Sequence, residues 1–155
     1  MRKFVAVLAL GWGLMLMPAL ARDLPADGMT LEQVAAWLKG HNVPADVTRD
    51  SVNGDSYILS EYRGIKFGVY LYNCLNGKCR SLQYSTGWGD APIPLEKVNA
   101  WNRDHRFLRV YRNERNELFG EYDIGLTPGG SYEMLDGTLM RWYVLVDNFV
   151  PYFEL

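Results

Sequence analysis

The dipeptide Asn76-Gly77 constrains the fold of this 155-residue chain more than any other feature. It lies between two runs of alternating apolar and polar residues. In that setting Asn-Gly predicts a two-residue β-hairpin turn, because both residues tolerate the positive φ of a type I′ turn. The turn also fixes the register, so that Cys74 lies opposite Cys79. The stretch from Arg63 to Trp88 is therefore predicted to be a hairpin around which the rest of the chain is arranged.

The register divides the side chains of this hairpin between two faces. The predicted core face carries Phe67, Val69, Leu71, Leu82 and Tyr84. The opposite face is amphipathic, and we expect it to contribute little to the core and to be a candidate interaction face. Its residues are Tyr70, Tyr72, Ser81 and Gln83. Neither face carries a catalytic group, so the hairpin predicts an architecture and a kind of partner rather than a reaction.

The first 21 residues have the three parts of a secretory signal peptide. Arg2 and Lys3 precede an apolar run from Phe4 to Met17, and Ala19-Leu20-Ala21 has the A-x-A pattern of a cleavage site. The alternative is a membrane anchor, but the run is shorter than the ~20 residues that span a bilayer, and Pro18 follows it directly. We expect cleavage after the last of these alanines.

Cleavage leaves residues 22–155, enough for a single domain with a sizeable core. The full chain has 16 Lys and Arg against 18 Asp and Glu, so loss of Arg2 and Lys3 leaves 14 basic residues and a net charge of −4. This charge disfavours nucleic acid or an anionic membrane as partner. No cysteine lies near the cleavage site to carry a lipid, so we expect no membrane anchor after cleavage.

The two cysteines of an exported chain are expected to form a disulfide. In the inferred register Cys74 and Cys79 are a non-hydrogen-bonded pair, whose Cα separation of about 4.5 Å lies within disulfide range. A metal site needs further ligands, but the two histidines, His41 and His105, lie on other predicted elements. A redox site is disfavoured because the spacing is C-x4-C rather than C-x-x-C at a helix start.

Capping signals predict three helices. Thr30 and Gln33 form a capping box for a helix that ends at Gly40, Pro94 begins a helix that runs to about Asp104, and Ser131 caps the closing helix. Strands are predicted at 45–49 and 56–62 before the hairpin, and at 108–112 and 118–126 after the second helix. This order of helix, four strands, helix, two strands and helix predicts an α+β fold with an antiparallel sheet.

The second helix has a predicted inner stripe of Leu95, Val98, Trp101 and Asn102. Trp37 of the first helix is likewise assigned to the core. A buried asparagine must find hydrogen-bond partners, so Asn102 is unusual on such a stripe. We favour a capping role for it over contact with a ligand.

Several segments of the chain resemble exported members of the YbjN-domain family. They are Gly64–Phe67, Cys74–Gln83, Val98–Asn102 with Arg106-Phe107, and the closing helix after Gly129-Gly130. The resemblance spans nearly all of residues 22–155 and implies a domain similar in layout to the small chaperones of type III secretion, which bind other proteins and often dimerise. It also implies a bacterial regulator of sensory transduction, hence a periplasmic location. Its motif residues, for which we expect a structural role, are Trp101, Asn102 and Arg106.

Two classes of function remain. We favour an exported, non-catalytic protein-binding or chaperone-like module that regulates signalling or stress response, with a protein partner or a second copy and with no cofactor or metal. The alternative is a periplasmic carboxylate-dependent hydrolase. It is disfavoured because the sequence has no nucleophile elbow, metal cluster or Ser/Cys–His arrangement, and because its many acidic residues form no marked pair.

Overall fold

A computed structural model of the chain describes residues 22–51, 53–89, 91–126 and 129–155. They form helices and strands in the predicted order, which confirms the α+β class. The helices are α1 (Leu31–Gly40), α2 (Leu95–Asp104) and α3 (Tyr132–Phe153). The strands are β1 (Asp46–Arg49), β2 (Ser56–Tyr62), β3 (Ile65–Leu75), β4 (Lys78–Trp88), β5 (Arg109–Arg112) and β6 (Leu118–Gly125). The predicted signal peptide lies outside the described residues.

The six strands join one antiparallel sheet in the order β1-β2-β3-β4-β6-β5. The first four form the predicted meander, with Ile58 opposite Val69. The β5–β6 hairpin adds to the free edge of β4 through β6, where Tyr122 lies opposite Tyr84. Strand β5 therefore forms one edge of the sheet and β1 the other.

The central hairpin has the predicted register. Asn76 and Gly77 both have positive φ, 51° and 78°, as the Asn-Gly turn requires. Cys74 lies opposite Cys79, their Cα atoms are 3.9 Å apart, and a disulfide joins them. The predicted disulfide is therefore present, at the tip of the hairpin.

The predicted core face of the hairpin packs against the helices. Trp142 of α3 lies over Phe67 and Tyr84, with ring centroids 5.5 and 5.4 Å apart. Trp101 of α2 meets Phe149 of α3 edge to face at 5.7 Å. These five rings are buried, and aromatic rings contribute much of the apolar area of a core of this kind.

Helix α1 begins at the predicted capping box and is fixed to α3. The backbone N–H of Gln33 donates to Thr30 Oγ1 at 3.2 Å, and the backbone N–H of Thr30 donates to Gln33 Oε1 at 2.9 Å. Trp37 is buried, as predicted, and its Nε1 donates to Asp136 of α3 at 2.8 Å. His41 Nε2 lies 3.1 Å from the same carboxylate. The end of α1 is thus held at the first turns of α3.

Helix α2 departs from prediction at its start. Pro94 is the N-cap and not the first helical residue. Leu95 is 56% exposed and Asn102 is also exposed, so the assignment of these two residues to the inner stripe is wrong. Successive helical residues are rotated by about 100°. A buried stripe centred on Val98 and Trp101 therefore leaves Leu95 at its rim.

The segment before α1 is tied to the sheet and to the residues just before α3. The Leu24 amide donates to the Gly130 carbonyl at 2.8 Å, and Met29 exchanges backbone hydrogen bonds of 2.8 and 3.0 Å with Cys79. Gly28 has φ 101°, and a Cβ there would lie 2.4 Å from the Cys79 carbonyl oxygen. Only glycine allows this close approach, which brings the segment against the disulfide-linked tip.

Removing the disulfide is expected to weaken the fold without abolishing it. A loop closed over five residues of sequence separation contributes about 2 kcal/mol in the chain-entropy treatment. Urea unfolding of a Cys74→Ser/Cys79→Ser variant should show this loss, and the reduced wild type should match it because Met29 binds only the Cys79 backbone. Reaction of both cysteines with a thiol reagent in the native protein would contradict the disulfide.

Candidate interaction face on the open side of the sheet

The face of the sheet opposite the helices is covered by no described helix, and we call it the open face. The hairpin register places the predicted residues Tyr70, Tyr72, Ser81 and Gln83 there. Pairing with β2, β6 and β5 adds outward positions that the hairpin alone did not predict. The main ones are Tyr57, Phe119, Glu121, Asp123, Arg109 and Tyr111.

One aromatic pair on the open face joins β2 and β3. The rings of Tyr57 and Tyr70 stack with centroids 5.0 Å apart and planes 12° apart. The Tyr70 ring lies over Gly68, where an added Cβ would come within 2.5 Å of it. Tyr70 is half-buried, and this burial, with Tyr57 beside it, raises the pKa of its hydroxyl to about 12. Tyr70 therefore packs against its neighbours within the open face and is not part of the hydrophobic core on the helical side.

A second aromatic pair joins β5 and β6. Tyr111 and Phe119 stack at 5.5 Å with planes 15° apart. Phe119 covers Gly87 of β4, where a Cβ would lie 2.7 Å from the ring. A groove of about 310 Å³ runs between the two aromatic pairs, and its lining includes Lys66 and Ser85. The open face thus presents two flat aromatic surfaces on either side of a shallow groove.

A polar network occupies the open face beside this groove, and its centre is Gln83. This amide is only 8% exposed. Its Nε2 donates to Asp123 Oδ1 at 2.8 Å and to Glu121 Oε2 at 3.4 Å, and its Oε1 accepts from the Tyr72 hydroxyl at 3.4 Å. A buried amide with donors and acceptors all engaged costs little stability and holds its neighbours in place.

Glu121 is the second buried member of the network, at 7% exposure. It forms an ion pair with Arg109 and accepts from the Tyr111 hydroxyl at 2.8 Å. The ion pair raises the pKa of Arg109. Burial, and secondarily the bond to Glu121, raises the pKa of Tyr111 to about 12. Glu121 is thus surrounded by donors from three side chains, whereas Asp123 is exposed.

The sequence prediction and the structure differ on the acidic residues. The sequence indicated no marked carboxylate pair, but Glu121 and Asp123 both accept from the same nitrogen of Gln83. Their i, i+2 spacing on a strand was a sufficient signal that they share a face. Ser81, in contrast, lies outside the network, and its Oγ accepts from Asn73 Nδ2 at 2.8 Å.

The predicted motif residues lie away from the open face, where α2 meets β5. Trp101 is buried and donates from Nε1 to the Leu108 carbonyl at 3.2 Å. Asn102 exchanges two hydrogen bonds with the Val110 backbone, of 2.8 and 3.0 Å, as a neighbouring strand would. Arg106 is exposed in the connection between them. Trp101 and Asn102 therefore hold β5 against α2.

The chemistry that the open face can offer follows from its side chains. Within the described ranges, no group of three or more His, Cys, Asp or Glu side chains is arranged to hold a metal ion. Among the same residues, no helix has the length and apolar character needed to cross a membrane. The groups on offer are stacked aromatic rings, which bind by apolar contact, and the exposed Asp123 carboxylate, which binds donors and cations.

Comparison with known proteins gives a match to a family. The YbjN family model, described as "Putative bacterial sensory transduction regulator", matches residues 30–155. The match begins at the N-cap of α1 and includes every strand and helix given above. No curated protein matches the chain.

Alkaline pH is expected to destabilise the fold through Tyr70 and Tyr111. Their folded-state pKa of about 12 exceeds the ordinary value of about 10, so the fold favours the neutral hydroxyl. The stability that they contribute is complete below pH ~10 and is lost as the pH rises towards ~12. Urea unfolding across this window should show a falling free energy of unfolding. A Tyr111→Phe variant should show a shallower fall, and a curve parallel to that of the wild type would contradict this role.

Proposed function

We propose that this protein, which belongs to the YbjN family, is an exported, non-catalytic module that binds a protein partner or a second copy on its open face. The observation that carries the proposal is the open face itself, with its two stacked aromatic pairs and the polar network centred on Gln83. The family description supports a regulatory task. The family resemblance implies a layout similar to that of small secretion chaperones, and this favours a chaperone-like mode of binding.

The side chains of the open face are suited to an interface because they are already ordered. Tyr70 and Phe119 are each held between a stacked neighbour and a glycine of the sheet. Binding therefore costs little side-chain entropy, which is one reason why tyrosine is common at interfaces. Tyr72 is 47% exposed and offers apolar ring surface next to the polar network.

Export to the periplasm is supported by two features. The pattern of Arg2-Lys3, the apolar run and Ala19-Leu20-Ala21 is that of a cleavable leader, although it lies outside the described residues. The disulfide between Cys74 and Cys79 is of a kind that persists in oxidising compartments. With the bacterial family, these features favour the periplasm over the cytoplasm.

A carboxylate-dependent hydrolase is the second candidate, and the Glu121–Asp123 pair is the observation that favours it. A general acid needs a proton to give, and a general base needs a free lone pair near the substrate. Glu121 is enclosed by Arg109, Tyr111 and Gln83, which leaves it poorly placed for either task. The lining of the adjoining groove includes neither Glu121 nor Asp123, so the pair does not face a cavity that could hold a substrate. Binding is therefore the better-supported function.

Site-specific photo-crosslinking is the test of the binding function. A photo-reactive phenylalanine at Tyr72 should give an adduct of defined mass in the periplasm, because that side chain lies exposed on the open face. The matched control is the same group at Val144, which is 59% exposed on α3. An adduct of twice the chain mass would identify a second copy as the partner.

Two outcomes would contradict the proposal. The first is adducts at Val144 with none at Tyr72, since binding would then involve the helical side. The second is hydrolysis of a cell-wall fragment by a monomeric, partner-free protein, with loss of that activity in Glu121→Gln or Asp123→Asn. The hydrolase would then replace the binding module.

A further inference from the structure

Strand β5 covers only half of the edge of β6. Its four residues pair with Leu118–Glu121, with Arg109 opposite Glu121. Strand β6 continues to Gly125, and in the described chain no strand pairs with this side of it beyond Glu121. The register would place Phe107 opposite Asp123, but Phe107 lies outside the strand with φ 74°. In the described chain the edge of the sheet beside Asp123 therefore has no paired strand, and the Phe107 ring instead lies near Tyr122, with ring centroids 6.4 Å apart.

The backbone of Asp123 faces this free edge. The Leu126 amide donates to the Arg80 carbonyl on β4, and in an antiparallel pair alternate residues bond to the same neighbour. Ile124 and Tyr122 accordingly bond to β4, while Asp123 and Gly125 direct their N–H and C=O groups to the other side. An unpaired row of this kind is a template for an incoming strand.

The side chain of Asp123 adds a charge preference to this edge. Glu121 has Arg109 as its cation, whereas no Lys, Arg or His nitrogen of the described chain lies within 4.0 Å of an Asp123 oxygen. Gln83 holds the carboxylate through Oδ1, and Oδ2 has no hydrogen bond to a described residue. The network therefore contains two carboxylates and one guanidinium, which leaves one negative charge uncompensated.

The open face as a whole also carries an excess of negative charge. Its strand positions carry four acidic side chains, Asp46, Glu61, Glu121 and Asp123, against two basic ones, Lys66 and Arg109. An anionic membrane or nucleic acid is disfavoured by this excess. A second copy that presented its own open face would meet the same excess of negative charge. A cationic segment is the complementary occupant.

We propose that the free edge of β6 takes an extended segment of a protein partner as an added strand, with a Lys or Arg side chain opposite Asp123. The inference rests on the proposed function and specifies the partner at the same site. The segment would extend β5 along the edge of β6. Its Lys or Arg side chain would then form an ion pair with Asp123, as Arg109 does with Glu121. The exposed ring of Tyr72, also hydrogen-bonded to Gln83, offers a cation–π contact to the same group.

The probe is a short fluorescein-labelled peptide that alternates arginine and valine, and the matched probe has glutamate at each arginine. Fluorescence anisotropy with the oxidised protein should detect binding of the arginine peptide alone, weakening as salt is added. Asp123→Asn should raise its dissociation constant roughly tenfold, the loss expected for one charge-assisted hydrogen bond. The control Asp46→Asn makes the same change at the far edge strand and should shift the constant by less than about twofold.

Two further variants separate charge from backbone pairing. Asp123→Lys should reverse the charge preference of the β6 edge, so that the glutamate peptide binds and the arginine peptide does not. Gly125→Pro keeps the Asp123 carboxylate but removes an N–H group that points to the unpaired edge. Edge strands tolerate a proline at such a position, and the variant should bind the arginine peptide more weakly. The disulfide and the circular dichroism spectrum confirm that each variant is folded.

Binding of neither peptide, equal binding of both, or an unchanged affinity in Asp123→Asn would overturn the inference. These results are distinct from failure of the proposed function. If the adduct at Tyr72 forms while the peptide results are negative, the binding function stands with a different partner. If adducts form at Val144 and none at Tyr72, the binding function fails by its own test.

Discussion

The register of the β3–β4 hairpin is the constraint on which the other features depend. A slip of one residue would turn Tyr84 out of the core and Gln83 into it, because neighbouring residues of a strand face opposite sides. The positive φ values of Asn76 and Gly77 oppose such a slip, and the disulfide beside the turn locks the register in place. Since β2 pairs with one strand of this hairpin and β6 with the other, the same register decides which side of every strand faces the helices.

The features that the sequence predicted are those with local signals, such as the capping box at Thr30 and the turn at Asn76. The pairing of β6 with β4 has no local signal, because it is a choice among several free strand edges. The network was missed for the same reason, since Glu121 and Asp123 meet Gln83 only through that pairing. Four of the ten open-face residues named above could thus be predicted from the hairpin, and the other six required the pairing of further strands.

The open face retains polar groups that stability alone does not explain. Gln83 and Glu121 are nearly buried although no described helix covers them, since neighbouring side chains such as Tyr72 and Tyr111 enclose them. Replacing a buried ion pair by apolar residues is often neutral or stabilising. Functional surfaces often contain buried polar networks, because residues there are selected for function and not only for stable packing. Here the network fixes the position of the one exposed carboxylate, Asp123.

The position of Asp123 also explains how the unpaired edge of β6 can avoid aggregation. Natural proteins protect unpaired strands by shortening them or by placing charges on them, since a bare apolar edge pairs with any extended chain. The other edge, β1, is four residues long and carries Asp46 and Arg49. The free part of β6 is equally short and carries Asp123. A fixed carboxylate disfavours apolar and acidic strands there and favours a strand that brings a cation, so one side chain provides both protection and selectivity.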